Sequence, residues 1–170
     1  EKNWNFTELS FKLANKIVDR SRKILKRLES LHPKKIDLSL NRLKDLLKKL
    51  GNPHLNVSPI IHIAGTNGKG SVTAFLRSIL ENSNFKTHVY TSPHLTRFNE
   101  RIRLNSKLID DEFLNKLLEE CEYYNKGNQI TFFEITTAAA FLAFRRVKSD
   151  FILLETGLGG RFDATNVIKK

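Results

Sequence analysis

The chain has 170 residues, 40% of them apolar, which is the length of one ordinary domain with enough hydrophobic material for a core. Its longest nearly uncharged stretch, Ile135 to Phe144, falls well short of the roughly 20 apolar residues a membrane span needs, and the first residues are charged, so neither a span nor a signal peptide is read. The net charge is +11, and the single cysteine, Cys121, excludes an internal disulfide and a cysteine-built zinc site, which points to a reducing compartment, the cytoplasm by default.

The charge is uneven. Residues 1–50 carry 14 basic and 6 acidic side chains and so hold most of the excess. Such a face can attract nucleic acid, an anionic membrane or a polyanionic ligand, and the plainer reading is a solvated helix surface. We expect neither a nucleic-acid nor a membrane partner.

In chain order, Phe6, Leu9, Leu13, Ile17, Ile24 and Leu28 recur at threes, fours and a seven with basic residues between them, which predicts an amphipathic helix. Pro33 interrupts it. A second helical pattern runs through Leu40, Leu43, Leu46, Leu47 and Leu50 and stops at Gly51 with Pro53 beyond. Ile60 to Ala64 reads as a short buried strand, followed by a glycine loop and a helix to about Asn82. Phe85 to Thr91 is a second strand, Ser92 to Arg101 an arginine-rich loop, and Ile102 to Ile109 a hairpin turning at Asn105-Ser106. Asp110 or Asp111 caps a helix whose Phe113, Leu114, Leu117, Leu118 and Cys121 share a face, broken by Lys126-Gly127-Asn128. An alanine-rich helix spans Thr131 to Val147, and the apolar strand Phe151 to Leu154 delivers Glu155 to its carboxyl end. Alternating strands and helices predict an α/β fold, a Rossmann-like parallel sheet with helices on both faces. We divide it into a basic helical lead-in, residues 1–54, and an α/β unit built around the glycine loop, residues 55–170.

The loop Gly65-Thr66-Asn67-Gly68-Lys69-Gly70-Ser71 lies between a strand and a helix. Small residues at 65, 68 and 70 let the backbone close around an anion, and the helix dipole adds about half a positive charge there. Phosphate is the natural occupant, with Lys69 reaching the terminal phosphates and Ser71 offering a hydroxyl to magnesium. The pattern departs from G-x-x-x-x-G-K-[ST], since Ile63 stands where the first glycine belongs and Gly70 separates lysine from serine.

His62 to Ser71 in this form closely resembles the P-loop of folylpolyglutamate synthases and dihydrofolate synthases, in the Mur ligase superfamily. Leu28 to Pro33 with Ile36-Asp37-Leu38, Leu50 to Pro53, Tyr90 to Leu95, Arg97 to Ile102, Thr131 to Glu134 and Leu154 to Asn166 also resemble that family, in order and spacing. The resemblance covers residues 26–168. It implies an ATP-dependent ligase, in which ATP phosphorylates a folate or dihydropteroate carboxylate and the amine of L-glutamate attacks the acyl phosphate. It further implies that Thr66, Asn67, Gly68, Lys69, Gly70 and Ser71 hold ATP, and that Ser92, Glu155 and Ser71 hold Mg2+. Lys69 and Glu155 are the catalytic pair on this reading. Ile36, Asp37, Leu38, Thr131, Phe132, Phe133, Glu134, Phe162, Asp163 and Ala164 are the implied pterin contacts. Taken singly, each of those phenylalanines also reads as core, each acid as a cap or surface charge, and residues 163–166 as a turn. His62 reads as a satisfied core histidine, and His94 and Arg97 as residues that orient a loop.

The family's further strands, second metal site and carboxy-terminal domain lie outside these residues, so the resemblance implies an incomplete Mur-ligase-type ATP-binding domain, with an unpaired sheet edge and weak or absent activity alone. Such a chain is either a truncated copy or one completed by a second chain. An inactive remnant, or a basic nucleic-acid or partner-binding module that retains a P-loop, is the competing reading.

Overall fold

A computed structural model describes residues 6–32 and 39–168. The expected contacts at Ile36, Asp37 and Leu38 lie outside the described residues. In order, the chain forms α1 (Phe6–Glu29), α2 (Asn41–Lys49), β1 (Ile60–Ile63), α3 (Lys69–Asn82), β2 (Thr87–Tyr90), β3 (Ile102–Leu104), β4 (Lys107–Leu108), α4 (Asp111–Asn125), α5 (Phe132–Arg146) and β5 (Phe151–Glu155). Short 3-10 turns occupy Pro53–Leu55, Phe98–Arg101 and Ala164–Val167.

The sheet order is β1-β5-β2-β3-β4. Strands β1, β5 and β2 are parallel, and the β3-β4 hairpin adds an antiparallel edge, so the sheet is mixed rather than wholly parallel. Asn105 and Ser106 both take positive φ (48° and 73°), as a two-residue hairpin turn of matching twist requires. The last strand, β5, is inserted between the first two, so the described sheet ends at β1. That position explains a departure from expectation: Ile60, Ile61 and His62 are only half-buried, and Ile63 alone of the strand is fully buried.

Strand alternation sends side chains to two cores. Tyr90, Ile152 and Leu154 join a large cluster with α5, α4, α2 and the second half of α1, while Ile63, Val89 and Leu153 meet Leu76 and Leu80 of α3 on the other face. Helix α5 lies between the sheet and the outer helices, so the whole run Ile135 to Phe144 is buried, and an apolar surface all round the helix is what that position demands.

On α1, Ile17 is half-buried and Ile24 and Leu28 are buried, while Leu13 is 59% exposed. At 1.5 Å per residue, the 24-residue α1 runs about 36 Å and its neighbour α4, with 15 residues, about 22 Å. Asp110 caps α4 by accepting from the Phe113 N–H at 2.8 Å, and Lys126 ends it in the left-handed region. Among the described residues no helix is long and apolar enough to cross a membrane.

Candidate nucleotide and acceptor site

Parallel register places Ile63 opposite Glu155 and Tyr90 opposite Leu154, so three loops leave the sheet at one end: 64–68 after β1, 91–97 after β2 and 156–163 after β5. Ligands of open α/β sheets bind at this carboxyl edge. Gly68 caps α3 with φ +76°, a value that favours glycine, and the Val72 N–H donates to its carbonyl at 2.9 Å. Thr66, Asn67, Gly68, Gly70 and Ser71 are exposed, and Lys69 is half-exposed. The Lys69 ammonium donates to the Gly65 carbonyl at 2.9 Å, so it folds over the loop instead of extending into solvent.

Glu155 meets this loop from the sheet. A methyl group on Gly70 would sit 3.9 Å from Glu155 Oε1, and the Ser92 N–H donates to Oε2 at 3.2 Å. Glu155 is thus fixed between the start of α3 and the start of the β2 loop, with 4% of its surface exposed. Burial pushes its carboxyl above the ordinary range, and the Ser92 N–H and the Lys69 charge oppose that rise. A buried carboxylate at this edge offers oxygen donors, which suit a hard divalent cation. Among the described residues no three His, Cys, Asp or Glu side chains cluster.

A second glycine turn faces the first. Gly65, Thr66 and Lys69 line one side of a cavity of about 360 Å3, and Gly157, Leu158 and Gly159 the other. Asp163 holds this turn. Its Oδ2 accepts the Gly157 and Leu158 N–H groups (3.0 and 2.8 Å), and its Oδ1 accepts the Thr165 N–H and hydroxyl (2.9 and 2.6 Å). Because the Thr165 hydroxyl donates to Asp163, His62 Nε2 must be the donor in its 2.8 Å contact with Thr165 Oγ1. Burial lowers the His62 pKa, partly offset by the Asp163 charge, so the ring is a neutral structural group.

The expected pterin contacts separate into three environments. Thr131 and Glu134 form a capping box: the Thr131 hydroxyl accepts the Glu134 N–H (3.3 Å), and Glu134 Oε2 accepts the Thr131 N–H (2.8 Å) and the Arg42 guanidinium (3.2 Å). Glu134 Oε1 is buried with no hydrogen-bond partner among the described residues. Phe133 stacks on Tyr90 with centroids 6.0 Å apart and touches the Gly157 backbone, while Phe132 meets Phe98 edge-on and carries the Arg101 guanidinium over its ring. Phe162 is 55% exposed, and Asp163 and Ala164 are buried. Phe133, Gly157 and Asp163 therefore meet, and link the α5 start to the second glycine turn.

Comparisons with known proteins fit this geometry. No family model matches the chain. It is 45% identical over 141 residues to the dihydrofolate synthase/folylpolyglutamate synthase of Bacillus subtilis, across 76% of this chain and 32% of that enzyme. An Escherichia coli FolC structure in complex with DHPP and ADP superposes with a TM-score of 0.83 at 37% identity, covering 87% of this chain and 36% of that one. The bifunctional enzyme of Yersinia pestis, complexed with AMPPNP and a Mn ion, gives 0.80 at 35% identity, covering 87% of this chain and 36% of that one. The chain belongs to the folylpolyglutamate synthase/dihydrofolate synthase family. It spans about a third of the length of the relatives it matches.

In this family member several residues of the site escaped the sequence reading. Glu100 accepts three backbone N–H groups, from Leu95, Thr96 and Arg97, at 2.7–2.9 Å and so folds the loop that begins at Ser92. Arg101 donates to His94 Nδ1 at 2.9 Å and lies over both Phe98 and Phe132. Arg42 reaches Glu134 from α2, 92 residues away in the chain. An acid inside an arginine-rich loop gives no local signal, and the Arg42 contact is purely tertiary. The T-x-x-E spacing at 131–134 does carry a signal, since it is the capping-box pattern in its own right.

Proposed function

We propose that this chain is the amino-terminal, nucleotide- and acceptor-holding part of an ATP-dependent ligase that adds L-glutamate to a folate or dihydropteroate carboxylate through an acyl phosphate. The observation that carries the reading is the meeting of Glu155, the Gly70 backbone and the Ser92 N–H at one edge of the sheet, with Lys69 folded over the same loop. On this reading the backbone amides of residues 66–71 cradle the triphosphate at the α3 N-terminus, and Lys69 exchanges the Gly65 carbonyl for a terminal phosphate oxygen. Glu155, Ser92 and Ser71 would hold Mg2+ with the phosphates. The cation, when bound, offsets charge on the transferring phosphoryl group.

Phe132 and Phe133 offer ring faces to a pterin, Glu134 Oε1 offers an acceptor for a ring N–H, and Phe162 and Ala164 border the same approach. Asp163 serves by shaping the 157–160 turn. The division at residue 54 is proposed as one of role, with the lead-in bringing Arg42 to the acceptor side. Arg20 and Arg27 pair with acids of α4, which weakens the case for a nucleic-acid module, and a second chain has no support here. Cys121, buried with its thiol pushed up, suits a reducing cytoplasm.

Calorimetric titration of Mg-ATP tests the reading. Binding that weakens about 10- to 100-fold in Lys69→Ala is expected, the range for a lost hydrogen bond to a charged group. Equal affinity in the two proteins would remove Lys69 from the site.

A further inference from the structure

Helix α3 turns one face, carrying Gly70, Thr73, Ala74 and Arg77, toward the β2–β3 side of the sheet. Val89 of β2 and Thr91 just beyond it alternate onto the side that meets α3. Antiparallel register sets Arg103 of β3 opposite Val89, so Arg103 stands on that side as well. These residues line a slot of about 110 Å3 that shares none of its walls with the cavity between the two glycine turns.

The two arginines of the slot are incompletely satisfied. Arg77 Nε is buried without a hydrogen-bond partner, and neither arginine has an acid within ion-pair distance among the described residues. An unmade bond of this kind is costly. Arg103 donates through Nη1 to the Ser106 carbonyl at 3.2 Å, which steadies its side chain on the hairpin. Burial lowers the Arg103 pKa, the Arg77 charge lowers it further, and the Glu81 charge opposes both. Glu81 is the one acid in this set, and its Oε1 is also buried without a hydrogen-bond partner. Two cations against one acid leave a positive charge uncompensated. The Thr73 hydroxyl donates to the Lys69 carbonyl at 2.9 Å and the Thr91 hydroxyl to the Glu100 carbonyl at 3.4 Å, so the free donors of the slot are guanidinium N–H groups.

We propose that this slot binds a compact tetrahedral oxyanion, of the phosphate or sulfate class, between Arg77 and Arg103. The volume lies well below the roughly 300 Å3 at which pockets for larger small molecules begin, so the ligand is a small ion. Each guanidinium donates through a planar fork. A tetrahedral ion turns a different pair of oxygens to each wall, whereas a carboxylate has a single pair to share. The inference does not use the ligase reading, since Lys69 and the turn at 157–159 take no part in the slot.

Calorimetric titration of inorganic phosphate, sulfate and acetate, at constant ionic strength, into the 170-residue chain, Lys69→Ala and Arg77→Gln/Arg103→Gln tests it. Phosphate and sulfate bind the unsubstituted chain more tightly than acetate does, and excess phosphate raises its melting midpoint. Phosphate affinity is unchanged in Lys69→Ala and falls about tenfold in the double variant, the low end for lost hydrogen bonds to a charged group. If the double variant melts early, Arg77→Gln alone decides, because the Arg77 side chain makes no hydrogen bond that the substitution would break; a loss of about tenfold is expected there too. Phosphate binding that vanishes in Lys69→Ala and survives in the arginine variants would place the ion on the phosphate loop and overturn the inference. Acetate that binds as tightly as phosphate, or an unsubstituted chain that binds no phosphate, overturns it as well.

Discussion

Asp163→Asn isolates what one carboxylate contributes to the second glycine turn. The native side chain is 3% exposed and accepts four hydrogen bonds, two on each oxygen. Asparagine has the same shape but one acceptor oxygen, so its amide must face either the Gly157 and Leu158 N–H groups or those of Thr165. Two charge-assisted bonds are lost in either orientation. At the low end of about 1.5 kcal/mol for each such bond, the cost is about 3 kcal/mol. For a chain of this size each kcal/mol shifts the midpoint by about 2–4 °C, so thermal unfolding followed by circular dichroism should show a fall of about 6–12 °C. The loosened turn borders the cavity shared with the phosphate loop, so Mg-ATP affinity should fall as well. A midpoint within 2 °C of the unsubstituted chain would refute the reasoning, because it would mean the four short contacts carry little free energy.

Thr131→Ala removes the cap of α5 and should cost about 1 kcal/mol, or about 2–4 °C in the same melt; no change would show that Glu134 alone holds the helix start. Burial lowers the pKa values of His54, His62, His88 and His94. The unfolded chain then binds protons more readily than the folded one, so their contribution to stability is present above about pH 6.5 and is lost as pH falls through the folded values. Melts at pH 7.5 and 5.5 check the sign, and a higher midpoint at pH 5.5 would reverse it. Glu155 has the opposite sense: its carboxyl is raised, so its burial penalty grows as pH rises through the folded value. Glu155→Gln should therefore raise the midpoint at neutral pH without metal and lose that advantage below about pH 4.5; an unchanged neutral midpoint would show that the carboxylate is not strained there.

Much of this fold is legible in the chain because local chemistry and tertiary position agree. The run Phe151 to Leu154 is apolar since β5 is central in the sheet, and it carries Glu155 to the right edge for the same reason. Asp110, Lys126 and Asn105-Ser106 are turn and cap chemistry that acts within a few residues. Position in the sheet is not local: nothing in Ile60-Ile61-His62-Ile63 states that β5 will pair on one side and leave the strand at the end of the described sheet. Nor does the stripe of α1 reveal that Leu13 will stand exposed while Ile24 and Leu28 are buried. At the site, the glycines and lysine of the loop drew attention by residue type and Glu155 by the resemblance, and the fold brings the two together. Asp163, Thr131 and Glu134 were expected as pterin contacts, with caps or turns as the alternative, and the sequence could not choose between them, since an acid that binds a ligand and one that binds its own backbone look alike in sequence. Glu100 was invisible for the same reason.

The central claim is that Glu155 and the phosphate loop share a metal-bound nucleotide. Titrating ATP with Mg2+ and again with the metal chelated, into the chain and into Glu155→Gln, tests it most directly. Tighter binding with Mg2+ in the unsubstituted chain, and no gain from Mg2+ in the variant, is the expected result. The same gain in both proteins would show that the cation sits elsewhere and would contradict the account.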